Sequence, residues 1–394
     1  MLLVLLLFLF PQDWPQFRGP TGQGLSEERG LPLTWSENKN VRWKVAIPGR
    51  GWSSPVVQGD RIWLTTATEE GKSLRAIAID RNTGAILQNV EVFRLKSAKL
   101  VNAKNSLASP TPVVEGDRVY VHFGAFGTAC LTQSGEIVWK TRLEYDNGQH
   151  GTGGSPVIYQ DLLIVSCDGN DVQFVAALDK ATGKVRWKKS REGYQAYTTP
   201  LVVSLPEGDQ VISPGAFRAI AYEPRTGKEL WHVRYGEGFS NVPRPVFGHG
   251  LIFICTGFQQ ASLLAVRPDG RGDVTKSKVA WRLDRGVPLT PSPLLVGDEL
   301  YMVTDNGIAT CVDAKTGEEL WRARLGGNHS ASPIYADGKI YFLSEEGESV
   351  VLAPGRKLTH LATNHLDGPT LASIAVSSGS LFIRSATHLY RISN

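Results

Sequence analysis

Residues 309–324 read ATCVDAKTGEELWRAR, and the phrase recurs as AALDKATGKVRWKKS at 176–190 and IAYEPRTGKELWHVR at 220–234. Each copy runs from a small apolar stretch through an acidic residue and Thr-Gly to a Trp. A chain that rewrites one phrase at a near-constant interval is built from one stacked unit, so this repeat decides the fold. A second phrase alternates with it, as in WSSPVVQGDRIWL at 52–64, GGSPVIYQDLLIV at 153–165 and ASPIYADGKIYFL at 331–343. Its leading proline falls at Pro55, Pro110, Pro156, Pro200, Pro245, Pro293 and Pro333, with a weaker copy starting at Ile374. The intervals of 40 to 55 residues suit a four-stranded propeller blade.

Each repeat parses into four strands. Ser-Pro-Val-Val opens a short apolar strand whose proline stands first, where its missing N–H costs little. Gly-Asp or Asp-Gly turns the chain. An apolar and aromatic strand follows (Arg61 to Thr65, Leu300 to Val303), then a third ending in the acidic residue (Phe174 to Asp179, Ala309 to Asp313). Thr-Gly makes the next turn, and the fourth strand carries Trp139, Trp187, Trp231, Trp281 or Trp321. These rings are read as packing between blades, with the acidic residue and Thr-Gly holding the hairpin in register beside them. The first blade has Gln88 where Trp is expected, and the seventh also lacks it. No long 3.6-residue apolar period occurs, so helix content should be low.

SENKNVRWKVAIP (36–48) reads as a lone fourth strand bearing Trp43, while 372–394 holds three strands and no fourth. Exposed sheet edges invite association, so the two ends should share a blade. The expectation is an all-β, eight-bladed propeller of four-stranded antiparallel blades, its last blade closed by the N-terminal strand.

The repeat resembles that of the pyrroloquinoline-quinone-like (PQQ-like) β-propeller family, over about residues 13–394. That family includes quinoprotein alcohol dehydrogenases, BamB-type outer-membrane assembly lipoproteins and uncharacterised secreted bacterial members. WPQFRGP (14–20), VYVHFGAFGTACL (119–131) and DGNDVQFVAALD (168–179) look closest to the secreted group. The quinoprotein members hold PQQ against a ring of two adjacent cysteines beside calcium, with an Asp as base. This sequence has no Cys-Cys pair and no matching calcium set, so neither PQQ nor calcium is expected. Fold alone assigns no function.

Composition suits one large domain over 13–394: 42% of residues are hydrophobic, and no linker divides the chain. A net charge of +4 is too balanced to point to nucleic acid. MLLVLLLFLF opens the chain, and residues 1–12 read as a signal peptide, possibly truncated, too short to span a bilayer. A periplasmic or secreted location follows. No Cys directly follows that stretch, the first being Cys130, so lipidation of the BamB kind is not expected. Cys130, Cys167, Cys255 and Cys311 fall in four different blades and read as buried thiols. The insertion at 96–107, with Lys96, Lys99, Lys104 and the preceding Arg94, reads as a solvated loop.

Catalytic motifs are absent: no G-x-S-x-G, H-E-x-x-H or P-loop occurs. GTGGSP (151–156) lacks the Lys and helix of a phosphate cradle, DGNDVQ (168–173) reads as a hairpin turn, and RGD (271–273) lies in a polar turn. The expected role is therefore non-catalytic: a monomeric scaffold binding an envelope protein or a small ligand at the channel mouth. The alternative is a PQQ- or metal-dependent oxidoreductase. Five positions before the prolines stand Arg50, Asn105, Gly151, Gln195, Ser240, Pro288 and Asn328, with Trp52, His150, Tyr197, Asn241 and His329 beside them. Arg50, Trp52, Asn105, His150, Gln195, Tyr197, Asn241 and His329 are the candidate ligand contacts, since polar groups converging on a concave mouth make a binding site. Two histidines are too few to predict a metal.

Overall fold

The computed structural model describes residues 13–97, 101–148 and 150–394, so the expected signal peptide at 1–12 and Lys99 lie outside it. Eight antiparallel sheets form an eight-bladed β-propeller. Five are made of four consecutive strands, while the fourth blade gains a short strand taken from within the fifth. The eighth takes Ala375–Ser377, Ser380–Arg384 and His388–Ile392 from the C-terminus and its outer strand, Val41–Ala46, from the N-terminus. Trp43 pairs with Arg391 and Val45 with Leu389, so the ring closes through both ends of the chain as expected. Among the described residues the helical content is two short 3-10 turns, Glu69–Gly71 and Gly124–Phe126.

Two sequence readings need correction. Blade two has two prolines, and its innermost strand, Val113–Glu115, begins after the second. The equivalent of Pro55 is therefore Pro112, and counting from Pro110 slipped the rim position by two residues. The RGD tripeptide is more than a turn: Gly272–Asp273 pairs in parallel with Trp231 and His232 as a fifth strand on blade four. That hairpin is an excursion of blade five onto the edge of its neighbour.

The opening motif is explained across blades rather than within one. Trp139 of blade two donates its indole N–H to the carbonyl of Lys180 (3.0 Å), in the Thr-Gly turn of blade three. Trp43, Trp187, Trp281 and Trp321 repeat the contact on Arg81 (3.0 Å), Pro224 (2.8 Å), Ala314 (3.1 Å) and Gly355 (3.2 Å). Trp231 reaches its neighbour through a relay: it donates to Gln210 Oε1 (2.8 Å), whose amide donates to Pro268 O (3.1 Å). The ring then covers the turn glycine. At Gly183 and Gly317, φ is 73° and 77°, and a Cβ would stand 2.5 Å from Trp139 and 2.8 Å from Trp281. Both the left-handed backbone and the overlying ring demand glycine. The acidic residue holds the same turn, Asp179 Oδ1 accepting from the N–H and hydroxyl of Thr182 (2.9 Å each).

The two blades without the Trp find substitutes. Gln88 of blade one stands opposite Ala78, as Trp187 stands opposite Ala177, and its Cγ lies 3.0 Å from a Cβ placed on Gly135. At blade seven, Trp35 from the N-terminal segment packs on Tyr341 with ring centroids 6.1 Å apart. Within blades two and six, the Tyr120–Trp139 and Tyr301–Trp321 pairs stand at 6.2 and 6.0 Å. The core is accordingly a ring of apolar clusters between neighbouring blades, such as Leu163, Phe174 and Trp139 between blades two and three.

Trp187 is 7% exposed. Its replacement by Ala should destabilise the fold by roughly 3–5 kcal/mol, read from the urea midpoint. Deleting 40–48 should bare the edge of His388–Ile392 and sharply lower the melting temperature; unchanged melting would contradict closure through that strand.

Candidate ligand-binding funnel

The innermost strand of each blade begins beside the propeller axis, one residue after a proline in seven blades. Two positions before each start stand Ser54, Thr111, Ser155, Thr199, Arg244, Ser292, Ser332 and Ser373 in turn. Its backbone N–H donates to the hydroxyl at the same position of the next blade. The bonds Ser54→Thr111, Thr111→Ser155, Ser155→Thr199, Arg244→Ser292, Ser292→Ser332, Ser332→Ser373 and Ser373→Ser54 measure 2.9 to 3.1 Å. Arg244 interrupts the series, and its Nε–H donates to Pro200 O (3.1 Å), tying blades four and five instead. All seven hydroxyl residues line one cavity of about 670 Å³ on the axis. Each hydroxyl accepts a backbone N–H, and none donates to protein among the described residues, so their protons are available to the cavity.

The floor is WPQFRGP. Trp14 exchanges backbone hydrogen bonds with Val57 (2.8 Å each), Val114 N–H donates to Pro15 O (2.8 Å), and Tyr335 donates to Gly24 O (2.8 Å). Residues 14–26 thus cross from blade one to blade seven, satisfying free inner strand edges and presenting Phe17 to the cavity. Arg18 is buried and donates to Pro293 O (2.7 Å) and Gln23 O (2.9 Å). Arg244, also buried, donates to Phe17 O (2.7 Å). Burial lowers both guanidinium pKa values, and the neighbouring Arg244 cation adds to the effect at Arg18.

Five of the eight candidate residues meet here: Trp52, Asn105, His150, Gln195 and Tyr197 line the cavity. Asn105 donates to the carbonyls of His150 (2.7 Å) and Thr152 (3.0 Å), and His150 packs edge-on to Tyr197 at 6.2 Å. Tyr197 has a buried hydroxyl without an acceptor, and burial pushes its pKa up to about 12. Three candidates stand elsewhere. Arg50 is exposed and its guanidinium donates to Ala103 O. Asn241 is buried, donating to Tyr235 Oη (3.1 Å) and Cys255 O (3.3 Å). His329 is buried with Nε2 against Gly326 O (3.0 Å), away from His150's cavity. Among the described residues no group of three or more His, Cys, Asp or Glu could hold a metal.

Sequence reasoning missed an aromatic wall beside Gln195 and Tyr197. Phe217, Tyr194, Phe239 and Phe258, in that order, form an edge-to-face chain with centroid spacings of 5.3, 5.9 and 5.6 Å. Tyr194 is 59% and Phe258 53% exposed, while Phe239 and Phe258 line the cavity. Asp305 is the sole carboxylate among the described lining residues, and it accepts from the N–H of Leu289 (2.7 Å) and Thr290 (3.3 Å). The 96–107 insertion is not merely solvated. Asn102, Lys104 and Asn105 line the cavity, and Lys104 pairs across the mouth with Glu345 of blade seven (2.7 Å).

The family model described as outer membrane protein assembly factor BamB matches residues 75–277 and 265–357. The chain belongs to this family. A BamB of Burkholderia pseudomallei is 29% identical over 228 residues, 55% of this chain and 56% of that protein. The chain spans about half the length of the curated relatives it matches. The BamB structure from Moraxella catarrhalis superposes with a TM-score of 0.63 at 13% identity, covering 89% of this chain and 99% of that one. Quinohemoprotein alcohol dehydrogenase from Comamonas testosteroni reaches 0.72 at 11% identity, covering 97% and 80%. Both structural likenesses are of fold. The donor set implied by the quinoprotein branch does not fit: the four cysteines are buried and free in separate blades, and no Cys lines the cavity.

His122 is buried beside Thr128 Oγ1 (2.8 Å), and burial lowers its pKa to about 4. The unfolded chain takes up a proton near pH 6.5 and the folded chain does not, so this contribution to stability is complete above 6.5 and is lost as pH falls to 4. The loss should be on the order of 3 kcal/mol, and His122→Gln should flatten that slope in urea melts at pH 7, 5.5 and 4.

Proposed function

We propose that this chain is a non-catalytic, extracytoplasmic scaffold whose funnel receives a small ligand or a segment of an envelope protein. The observation that carries the reading is the convergence of seven free hydroxyl protons and an exposed aromatic wall on one axial cavity. Hydroxyl donors suit oxygen acceptors, and the aromatic faces suit an apolar body. The family name, an outer membrane assembly factor, supports a partner in the cell envelope. No helix among the described residues is long and apolar enough to cross a membrane. A periplasmic or secreted site and a monomeric state complete the proposal.

Against the catalytic alternative, the described residues hold no group of three or more His, Cys, Asp or Glu that could bind a metal, and the four cysteines lie far apart in the chain. Addition of PQQ and calcium should leave the quinone's absorbance unchanged and support no dye-coupled alcohol oxidation; PQQ-dependent turnover would overturn the non-catalytic reading. Photo-crosslinkers placed at Trp52 and Phe258 should capture an envelope component that a crosslinker at exposed Val185 does not. Capture from Val185 alone would move the binding surface to the outer blade edges.

A further inference from the structure

Below the throat, on the far side of the N-terminal segment, lies a second cavity of about 360 Å³. Thr21 and Gln23 of that segment, Ser204 of blade four and Arg244 of blade five line it. Arg244 is 2% exposed, and two of its nitrogens are engaged, Nε with Pro200 O and Nη1 with Phe17 O. Its Nη2 has no protein acceptor among the described residues. No carboxylate is among the described lining residues, and the second buried guanidinium, Arg18, lies close enough to repel it. A buried cation without a counter-charge is costly, and a charge-assisted hydrogen bond from an anion relieves it. Neutral donors surround the same space. Gln23 uses Oε1 to accept from Phe247 N–H (2.6 Å), and among the described residues its amide N–H₂ and the Thr21 and Ser204 hydroxyls make no protein hydrogen bond. A cation and three neutral donors around a space of this size, with no acid, are the chemistry of an oxyanion site.

We propose that this lower cavity binds one small oxyanion, a carboxylate or an inorganic sulfate-like group, on Arg244 Nη2 with help from Gln23, Thr21 and Ser204. Because two donors belong to the N-terminal segment and two to the blades, the bound anion bridges the plug to the channel wall. The site is distinct from the funnel and stands whether or not a ligand occupies that funnel.

The test is isothermal titration of the full chain with succinate and with sulfate, using chloride at equal ionic strength as the blank. Saturable one-to-one binding of either is expected: succinate assigns a carboxylate, and sulfate alone assigns an inorganic oxyanion. Ser204→Glu places a repelling charge at the rim from an exposed position that makes no hydrogen bond, so its melting should stay normal while affinity falls at least tenfold. Arg244→Gln should abolish binding; should that variant fail to fold, Ser204→Glu decides alone. No saturable heat with either anion, or equal affinity in Ser204→Glu, would overturn the proposal.

Discussion

The indole of one blade resting on the turn glycine of the next is the contact on which this ring depends. A four-stranded sheet with two apolar faces cannot bury both by itself, so each blade is stable only against neighbours. The Trp supplies area, and its N–H supplies direction, because the carbonyl it seeks lies in a turn that the acidic residue has already shaped. Trp139 over Gly183 and Trp281 over Gly317 show why the Trp and the Thr-Gly travel together in sequence while belonging to different contacts in space. Where the Trp is missing, something must fill its place: Gln88 does so at one interface and Trp35, from outside the repeats, at another.

Nearer the axis a second contact performs the same task at shorter range. The proline that starts most inner strands has no N–H, so the last free N–H of each blade belongs to the residue before it. That N–H is satisfied by the next blade's hydroxyl, which makes the Ser-Pro and Thr-Pro dipeptides a ring of rivets. The consequence for function is direct. Rivets that accept through oxygen keep their protons, so the structural ring is also the donor surface of the funnel. At blade five Arg244 replaces the rivet, reaches below the throat and anchors the segment that closes it. Arg244 thus touches both the funnel floor, through Phe17 O, and the lower cavity that it lines.

Buried guanidiniums recur in this molecule in two forms. Arg191 is paired with Asp168, both side chains almost wholly buried, and also donates to Ser213 O (2.9 Å). Arg18, Arg244 and Arg384 instead spend their donors on backbone carbonyls, Arg384 on those of Ser53 and Thr65 (3.0 Å each). Strand starts beside the axis leave carbonyls without ladder partners, and an arginine is long and multiply donating enough to reach several of them. The WPQFRGP motif, noticed in the sequence only as a resemblance, is thus a plug whose Phe17 and Arg18 face opposite tasks.

Repeat period, strand count, the shared last blade and low helix content were determined by the sequence itself, since each rests on local turn chemistry and on the apolar alternation of neighbouring residues. Blade two shows the limit of that locality: Pro110 and Pro112 are both plausible starts, and only pairing with the next strand selects the second. The site was legible in part. Trp52, Asn105, His150, Gln195 and Tyr197 line the cavity because the segment leading into each inner strand runs along its rim, although Asn105 stands seven rather than five residues before Pro112. Arg50, Asn241 and His329 come from the same leading segments yet do not line the cavity, because side-chain direction depends on which neighbouring carbonyl or hydroxyl lies within reach. The hydroxyl ring, the aromatic wall of Phe239 and Phe258 and the crossing of residues 14–26 were decided by tertiary structure alone. Each joins residues from different blades, and a hydrogen bond closed across the axis leaves no periodic trace in the chain that makes it.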